Sequence, residues 1–163
     1  MLGLSNGARV ARIAIAIALA LTVAACSQNR NGPGAGATNV VPGSAQEFVV
    51  NVGDRVFFTT DSSQLTDVSK ATLQRQAQWL LQYPRYTFTM EGHADERGTR
   101  EYNIALGARR AAVTRDYLIS LGIPANRMRT VSYGKERPVA VCDNASCWNQ
   151  NRRAVTVLDN ATN

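Results

Sequence analysis

Residues 93–111 read HADERGTREYNIALGARRA, and how that stretch divides between strand, loop and helix decides the fold. It places Asp95, Glu96, Arg97, Arg100, Glu101, Arg109 and Arg110 around the only histidine of the chain. Charge of both signs at that density marks either a solvated helix face or a pocket for a ligand that itself carries both charges. At about 100° per residue, Ile104, Ala108, Ala111, Ala112, Leu118 and Ile119 share one broad arc. That arc is the expected core face of a helix from about Thr99 to Leu121, stopped by Gly122 with Pro124 beyond. Asn103, Gly107, Arg110 and Thr114 form a separate stripe beside it, with the small Gly107 expected to leave open space next to Arg110. Arg109 points elsewhere, into solvent. His93 to Gly98 then reads as the loop between a strand and this helix, at the strand end where α/β sheets commonly place ligands.

Working outward, Tyr86 to Glu91 alternates apolar with polar residues, as a strand with one face on the core does. Before it, Thr66 is a candidate N-cap for a helix in which Leu73, Ala77, Leu80 and Leu81 recur on one face, ended by Tyr83-Pro84. Phe48 to Val52 and Arg55 to Phe58 read as β segments separated by a Gly53-Asp54 turn. Arg127 to Tyr133 and Arg153 to Leu158 read as two more strands, with a cysteine loop and room for one short helix between them. The order β-α-β-α-β-β predicts an α/β two-layer sandwich: a mixed sheet with the helices packed on one face.

The N-terminus reads differently. Arg9 and Arg12 precede an apolar run from Ile13 to Leu21, too short for the roughly 20 residues that cross a bilayer as a helix, so the segment reads as an export signal. Val23-Ala24-Ala25-Cys26 resembles a bacterial lipobox, in which the cysteine thiol is lipidated and becomes the new N-terminus; ordinary cleavage after Ala25 is the alternative. Several acyl chains, at about 0.8 kcal/mol per buried methylene, anchor a protein stably where one does not. Residues 1–25 are thus expected to be a lipoprotein signal peptide, with Cys26 the expected lipidation site. Residues 26–45, rich in Gly, Asn, Ala and Pro, form a flexible linker spanning about 25 Å on average and about 65 Å fully extended. Residues 46–163 are the folded domain. With Cys26 lipidated, Cys142 and Cys147 remain as an even pair in an oxidising compartment and are expected to form a disulfide, against the alternatives of free thiols or incomplete metal ligands.

The formal net charge of +6 includes Arg9, Arg12 and Arg30, which lie outside the folded part. The remaining arginines are interleaved with acids, without RNA-binding aromatics or zinc-finger spacing, which argues against nucleic acid as a partner.

The stretch GHADERGTREYNIALGARRA, with VFFTTDSSQL before it and VSYGKERP and NRRAVTV after it, resembles the OmpA C-terminal-like domain family, and within it the peptidoglycan-associated lipoproteins. The resemblance covers about Phe48 to Leu158. The family's wall-binding motif corresponds here to Asp95, Leu106-Gly107 and Arg110-Ala111, with Thr114 where the broad motif expects valine. The resemblance implies a ligand in the peptide stem of peptidoglycan, through diaminopimelate, whose side chain ends in an ammonium and a carboxylate on one carbon. It assigns Asp95 to the ammonium and Arg110 to the carboxylate, which a planar guanidinium can grip through two parallel hydrogen bonds. Asp61 matches a further binding position, Leu106 and Thr60 line the pocket by the same alignment, and Asn103 is added because it shares the Arg110 stripe. A structural salt bridge between Asp95 and Arg110 is the competing reading of those two residues.

The resemblance further implies an outer-membrane lipoprotein of the Tol-Pal system, facing the periplasm, with TolB and other Tol proteins as partners and a role in membrane integrity and cell division. No cofactor is implied. His93 lacks a second histidine or a cysteine cluster for a metal site, and is expected to order the loop through hydrogen bonds. No nucleophile–base pair or carboxylate pair suited to hydrolysis is evident, so the protein is expected not to be an enzyme; a periplasmic enzyme of wall metabolism and a lipoprotein that only docks a protein partner are the alternatives.

Overall fold

The structure, a computed structural model, describes residues 40–159. Cys26, the signal peptide, and the linker before residue 40 lie outside the described residues.

Four strands form one sheet in the order β1-β4-β2-β3, where β1 is Arg55–Phe57, β2 Phe88–His93, β3 Met128–Gly134 and β4 Arg153–Leu158. β2 and β3 are parallel, while β4 runs antiparallel to both β1 and β2, so the sheet is mixed as expected. The parallel pair is joined through a 21-residue helix, α2 (Arg100–Ser120), which lies over β2 and β3; α1 (Asp67–Gln82) packs beside it and on β1. A shorter helix, α3 (Ala145–Asn151), precedes β4.

Local chemistry sets the helix ends. The Thr66 hydroxyl accepts from the Ser69 amide and the Thr99 hydroxyl from the Tyr102 amide, each meeting one of the unpaired donors of a first turn. Gly122, at φ 95°, takes the left-handed conformation that closes α2, as its position in the sequence predicts. Alternation along the strands sends Phe88, Met90 and Gly92 of β2, Val56 of β1, and Ala154 and Leu158 of β4 toward the helices, where they meet Leu73, Leu80, Ala111 and Leu118.

Three expectations are corrected. Phe48 to Gly53 is not a strand but a π-helical turn following a one-turn helix, Ala45–Glu47. Only Phe48 of this run is buried, while Val49 and Val50 face solvent, so β propensity is overridden by contacts at its two ends. At one end the Glu47 carboxylate accepts from the Trp79 indole and the Gly43 amide; at the other, the buried Gln76 amide donates to the Gly53 carbonyl at 2.6 Å.

The second correction concerns the buried face of α2. Asn103, Gly107, Arg110 and Thr114 are buried together with Leu106, Ala111 and Leu118, whereas Ala108 and Ile119 are exposed. The polar stripe therefore faces the domain, because each of its polar side chains finds a backbone carbonyl there. Asn103 donates to Arg97, Thr114 to Arg110, and Arg110 to three carbonyls. Leu81 of α1 is likewise half exposed rather than on the core face.

The third concerns Gly107, which opens no space. A Cβ there would stand 2.4 Å from the Ser132 hydroxyl oxygen, and a Cβ on Gly92 would stand 1.8 Å from the Gly107 carbonyl oxygen. Two facing glycines let α2 rest directly on β2, and this close approach brings Arg110 to the strand's end.

Gly92→Ala is accordingly expected to destabilise the domain by at least about 2 kcal/mol, since backbone on both sides must give way. Urea unfolding of the variant beside the parent measures it.

Candidate functional site

The site begins where β2 ends. A register irregularity between Gly92 and His93 breaks the parallel ladder one residue before the loop, and bulges commonly re-aim the chain beside binding sites. The loop is then pinned from three sides. The Ala94 amide donates to the Gly134 carbonyl at 2.8 Å, the Lys135 ammonium to the Glu96 and Gly98 carbonyls, and the Asn103 amide to the Arg97 carbonyl at 2.7 Å.

Asp95 sits in this loop, buried, with each carboxylate oxygen occupied twice. Oδ1 accepts from the Arg97 backbone amide at 3.2 Å and from Arg97 Nε at 3.0 Å; Oδ2 accepts from Arg97 Nη2 at 2.7 Å and from Arg152 Nη1 at 3.0 Å. Burial alone would push its carboxyl pKa up, but the hydrogen bonds from Arg97 and Arg152 outweigh it and hold the group below the usual carboxylate range.

Arg110, carried by α2, is wholly buried. Its Nε donates to the Ser62 carbonyl at 2.9 Å, Nη1 to the His93 carbonyl at 2.8 Å and Nη2 to the Thr59 carbonyl at 3.2 Å. Its guanidinium also lies over the Phe58 ring. Burial lowers its pKa to about 10, helped by the nearby Arg152 cation and opposed by Asp95 and Asp61. The Asp95 charge thus bears on Arg110, whose Nη1 is held by the carbonyl of His93, two residues before Asp95 in the chain. The open fork expected of Arg110 is not found, because three of its nitrogens are already engaged by the protein's own carbonyls.

The remaining sequence candidates divide. Asp61 has φ 53°, a conformation sparsely used by residues other than glycine, and accepts a hydrogen bond from the Tyr102 hydroxyl of α2. Strain of this kind is over-represented at functional sites, and it holds the segment after β1 across the first turn of α2. Thr60 is exposed beside it and Leu106 is buried one turn before Arg110. Asn103 spends its side chain on the Arg97 carbonyl.

Three residues of the cluster escaped the sequence reading. Arg152 is buried, donates to Asp95 and to the Phe58 carbonyl at 3.1 Å, and bonds Asn149 of α3. Tyr102 holds Asp61, and Trp148 donates to the Glu96 carboxylate while its ring lies 4.1 Å from the Arg97 guanidinium. The paired arginines in NRRAVTV, ahead of a strand with a buried side, were the one available signal for Arg152. Cys142 and Cys147 form the expected disulfide, which ties α3 to the loop before it. Two clefts flank the charged pair rather than contain it, one of about 560 Å³ bordered by Phe58, Thr59 and Asn149, the other of about 380 Å³ bordered by Ala94, Glu96 and Lys135.

His93 departs from its expected role. It is the last residue of β2, its ring is buried, and neither ring nitrogen has a hydrogen-bond partner among the described residues; its backbone carbonyl is what serves Arg110. Glu91 lies 3.4 Å from Nε2, but burial and the cations of Arg153, Arg137 and Arg55 prevail and lower the histidine pKa to about 4.

Residues 57–153 match the model of the OmpA family, and the chain belongs to that family. A peptidoglycan-associated lipoprotein of Rhizobium meliloti strain 1021 is 72% identical over 120 residues, covering 74% of this chain and 68% of the relative. One from Agrobacterium fabrum is 69% identical over 125 residues, covering 77% and 71%. The crystal structure of the peptidoglycan-associated lipoprotein from Burkholderia pseudomallei superposes with a TM-score of 0.63 at 43% identity, covering 65% of this chain and 90% of that one. Within the OmpA family, the chain's branch is that of the peptidoglycan-associated lipoproteins.

The state of His93 predicts a pH dependence with a definite sign. The unfolded chain protonates this histidine near its ordinary value of about 6.5, whereas the folded domain resists protonation down to about 4. Its contribution is therefore complete above the unfolded value and is lost as pH falls through that window. Stability should drop by about 2 kcal/mol between pH 7 and 5, measured by urea unfolding, and His93→Gln should flatten most of that slope.

Proposed function

We infer that this protein is an outer-membrane lipoprotein that holds the cell wall by reversible, non-covalent binding of the peptidoglycan stem peptide at Asp95 and Arg110. The observation that carries the reading is the juxtaposition itself. The buried guanidinium of Arg110 on α2 is fixed to the His93 carbonyl, two residues before the buried carboxylate of Asp95 on the loop after β2, and both stand at the motif positions of a family to which the chain belongs. A ligand ending in an ammonium and a carboxylate on one carbon, as diaminopimelate does, needs one fixed partner of each sign, and neither partner alone would select it. Asp61, Thr60 and Leu106 complete the proposed site from the neighbouring segments. Asn103 contributes by fixing the loop rather than by touching the ligand. The protein acts by binding, and no residue is assigned a catalytic role.

The proposed anchor is a lipid on Cys26, followed by a linker shorter than the residues 26–45 expected from the sequence, since Gly43 to Ala45 already belong to the domain. The described chain enters the domain at a clasp in which the Gly43 carbonyl accepts from the Tyr86 hydroxyl at 2.7 Å and from Arg85. Tyr86 stands just ahead of β2, and Asp95 just beyond its other end, so lipid and wall would be held at opposite ends of a strand about 20 Å long. Membership of the Tol-Pal system, with TolB and other Tol proteins as partners and a role in membrane integrity and division, belongs to the same proposal.

On purified sacculi, Asp95→Ala and Arg110→Lys should each reduce retention at least tenfold, with no muropeptide released by the parent protein. The lysine keeps one positive charge in the buried seat but lacks the planar fork. Retention by both variants at the parental level would refute the assignment of the site. Cys26→Ser should move the mature protein from the membrane fraction to the soluble periplasm, read by fractionation.

A further inference from the structure

We propose that Arg97 is a built-in occupant of the Asp95 carboxylate, seated where the ligand's ammonium goes and displaced when the ligand binds. The proposal rests on the reading of the site given above and adds a competitor to it.

An ionised carboxylate offers about four acceptor positions. In Asp95 four hydrogen bonds arrive, three of them from Arg97 and one from Arg152. An incoming ammonium therefore finds no vacant lone pair, and one of the two guanidinium groups must yield. Arg152 cannot do so cheaply. It is buried, and its other nitrogens are committed to the Phe58 carbonyl and to Asn149, so moving it would leave a buried cation and the buried Phe58 carbonyl without their partners. Arg97 differs on each point. Its side chain is 41% exposed, its side-chain hydrogen bonds among the described residues go to Asp95 alone, and its charge stays at the solvent-facing rim on release. One contact can outlast the release, because the guanidinium already lies 4.1 Å from the centre of the Trp148 ring, whose indole is itself fixed by Glu96. The Arg97 backbone amide stays on Oδ1 throughout, since the loop is held by Lys135 and Asn103.

Binding at Asp95 is on this account an exchange of cations. The carboxylate never stands bare, which keeps it ionised and correctly oriented in the free protein, and the cost is a weaker grip on the ligand. Arg97 sets affinity and the rate of entry without belonging to the filled site.

The test uses the mature full-length protein in detergent and, as probe, a purified disaccharide-tetrapeptide containing diaminopimelate, titrated by calorimetry and followed by stopped-flow. Arg97→Gln removes the competing charge and should bind roughly two- to fivefold tighter, through faster association, whereas Arg97→Lys should stay close to the parent. In the parent, the Arg97 Nε resonance should move toward its solvent-exposed position as the probe saturates, a change that a purely structural arginine would not show. If Arg97→Gln binds equally or more weakly while its thermal melt is unchanged and Asp95→Ala still abolishes binding, Arg97 is no competitor and the proposal falls alone. If Asp95→Ala binds as the parent does, the site assignment and the proposal fall together.

Discussion

A guanidinium placed entirely inside the domain is the constraint on which the rest of this structure depends. Arg110 can be buried only because three carbonyls from two separate segments, at Thr59, Ser62 and His93, converge on it. A cation without such partners would cost several kcal/mol in that position. The convergence in turn requires that α2 lie close against the end of β2, which the facing glycines at 92 and 107 permit. It also requires that the segment after β1 turn back over α2, which Asp61 does with a left-handed backbone and a hydrogen bond from Tyr102. One buried charge thereby fixes the relative positions of a strand end, a helix and a loop, and these are the three elements that build the candidate site.

The same residue explains where the sequence was legible and where it was not. Strand and helix positions carried by period and caps, such as Thr66, Thr99 and Gly122, are found where the pattern puts them, because those signals depend only on neighbouring residues. The buried face of α2 could not be read that way. Periodicity counts apolar side chains, and Asn103, Arg110 and Thr114 look like a surface stripe until the carbonyls that receive them are known. The Phe48 to Gly53 turn misled for a related reason: its β-branched residues favour a strand, but the contacts from Trp79 and Gln76 that hold it helical lie more than twenty positions away. Asp95 and Arg110 were singled out through the resemblance to the family's motif. Arg152 was not, because a basic residue ahead of a strand gives no sign of the carboxylate it will meet 57 positions earlier in the chain.

What results is a charge network with no slack in its interior and some at its rim. Arg152 joins Asp95 to the Phe58 carbonyl and to α3, and the disulfide between Cys142 and Cys147 restrains the helix that carries Asn149 and Trp148. Arg97, by contrast, is exposed. Buried polar networks of this kind contribute more to orientation than to net stability, since desolvation offsets much of what the ion pairs return. Orientation is set by the part of the network that is buried: Arg152 and the Arg97 backbone amide on Asp95, and three carbonyls on Arg110.

The position of β2 in the sheet bears on how such a site could hold against a pull. β2 is an interior strand, paired with β4 on one side and β3 on the other, and it connects the clasp at Gly43 and Tyr86 to the loop of Asp95. A force entering with the linker and leaving through the ligand would run along this strand. Pulled lengthwise, an interior strand shears two ladders of hydrogen bonds at once, whereas an edge strand peeled from its end would lose them one after another. Had the chain entered beside β1, which has three residues and one partner, the same sheet would have offered its weakest element to the load. The clasp is built of side chains that serve nothing in the charged site: Glu47, Trp79, Arg85 and Tyr86 all act to seat the entering chain at the start of β2. A domain that only recognised a ligand would have no need to control where its linker attaches, and one that joins two surfaces would.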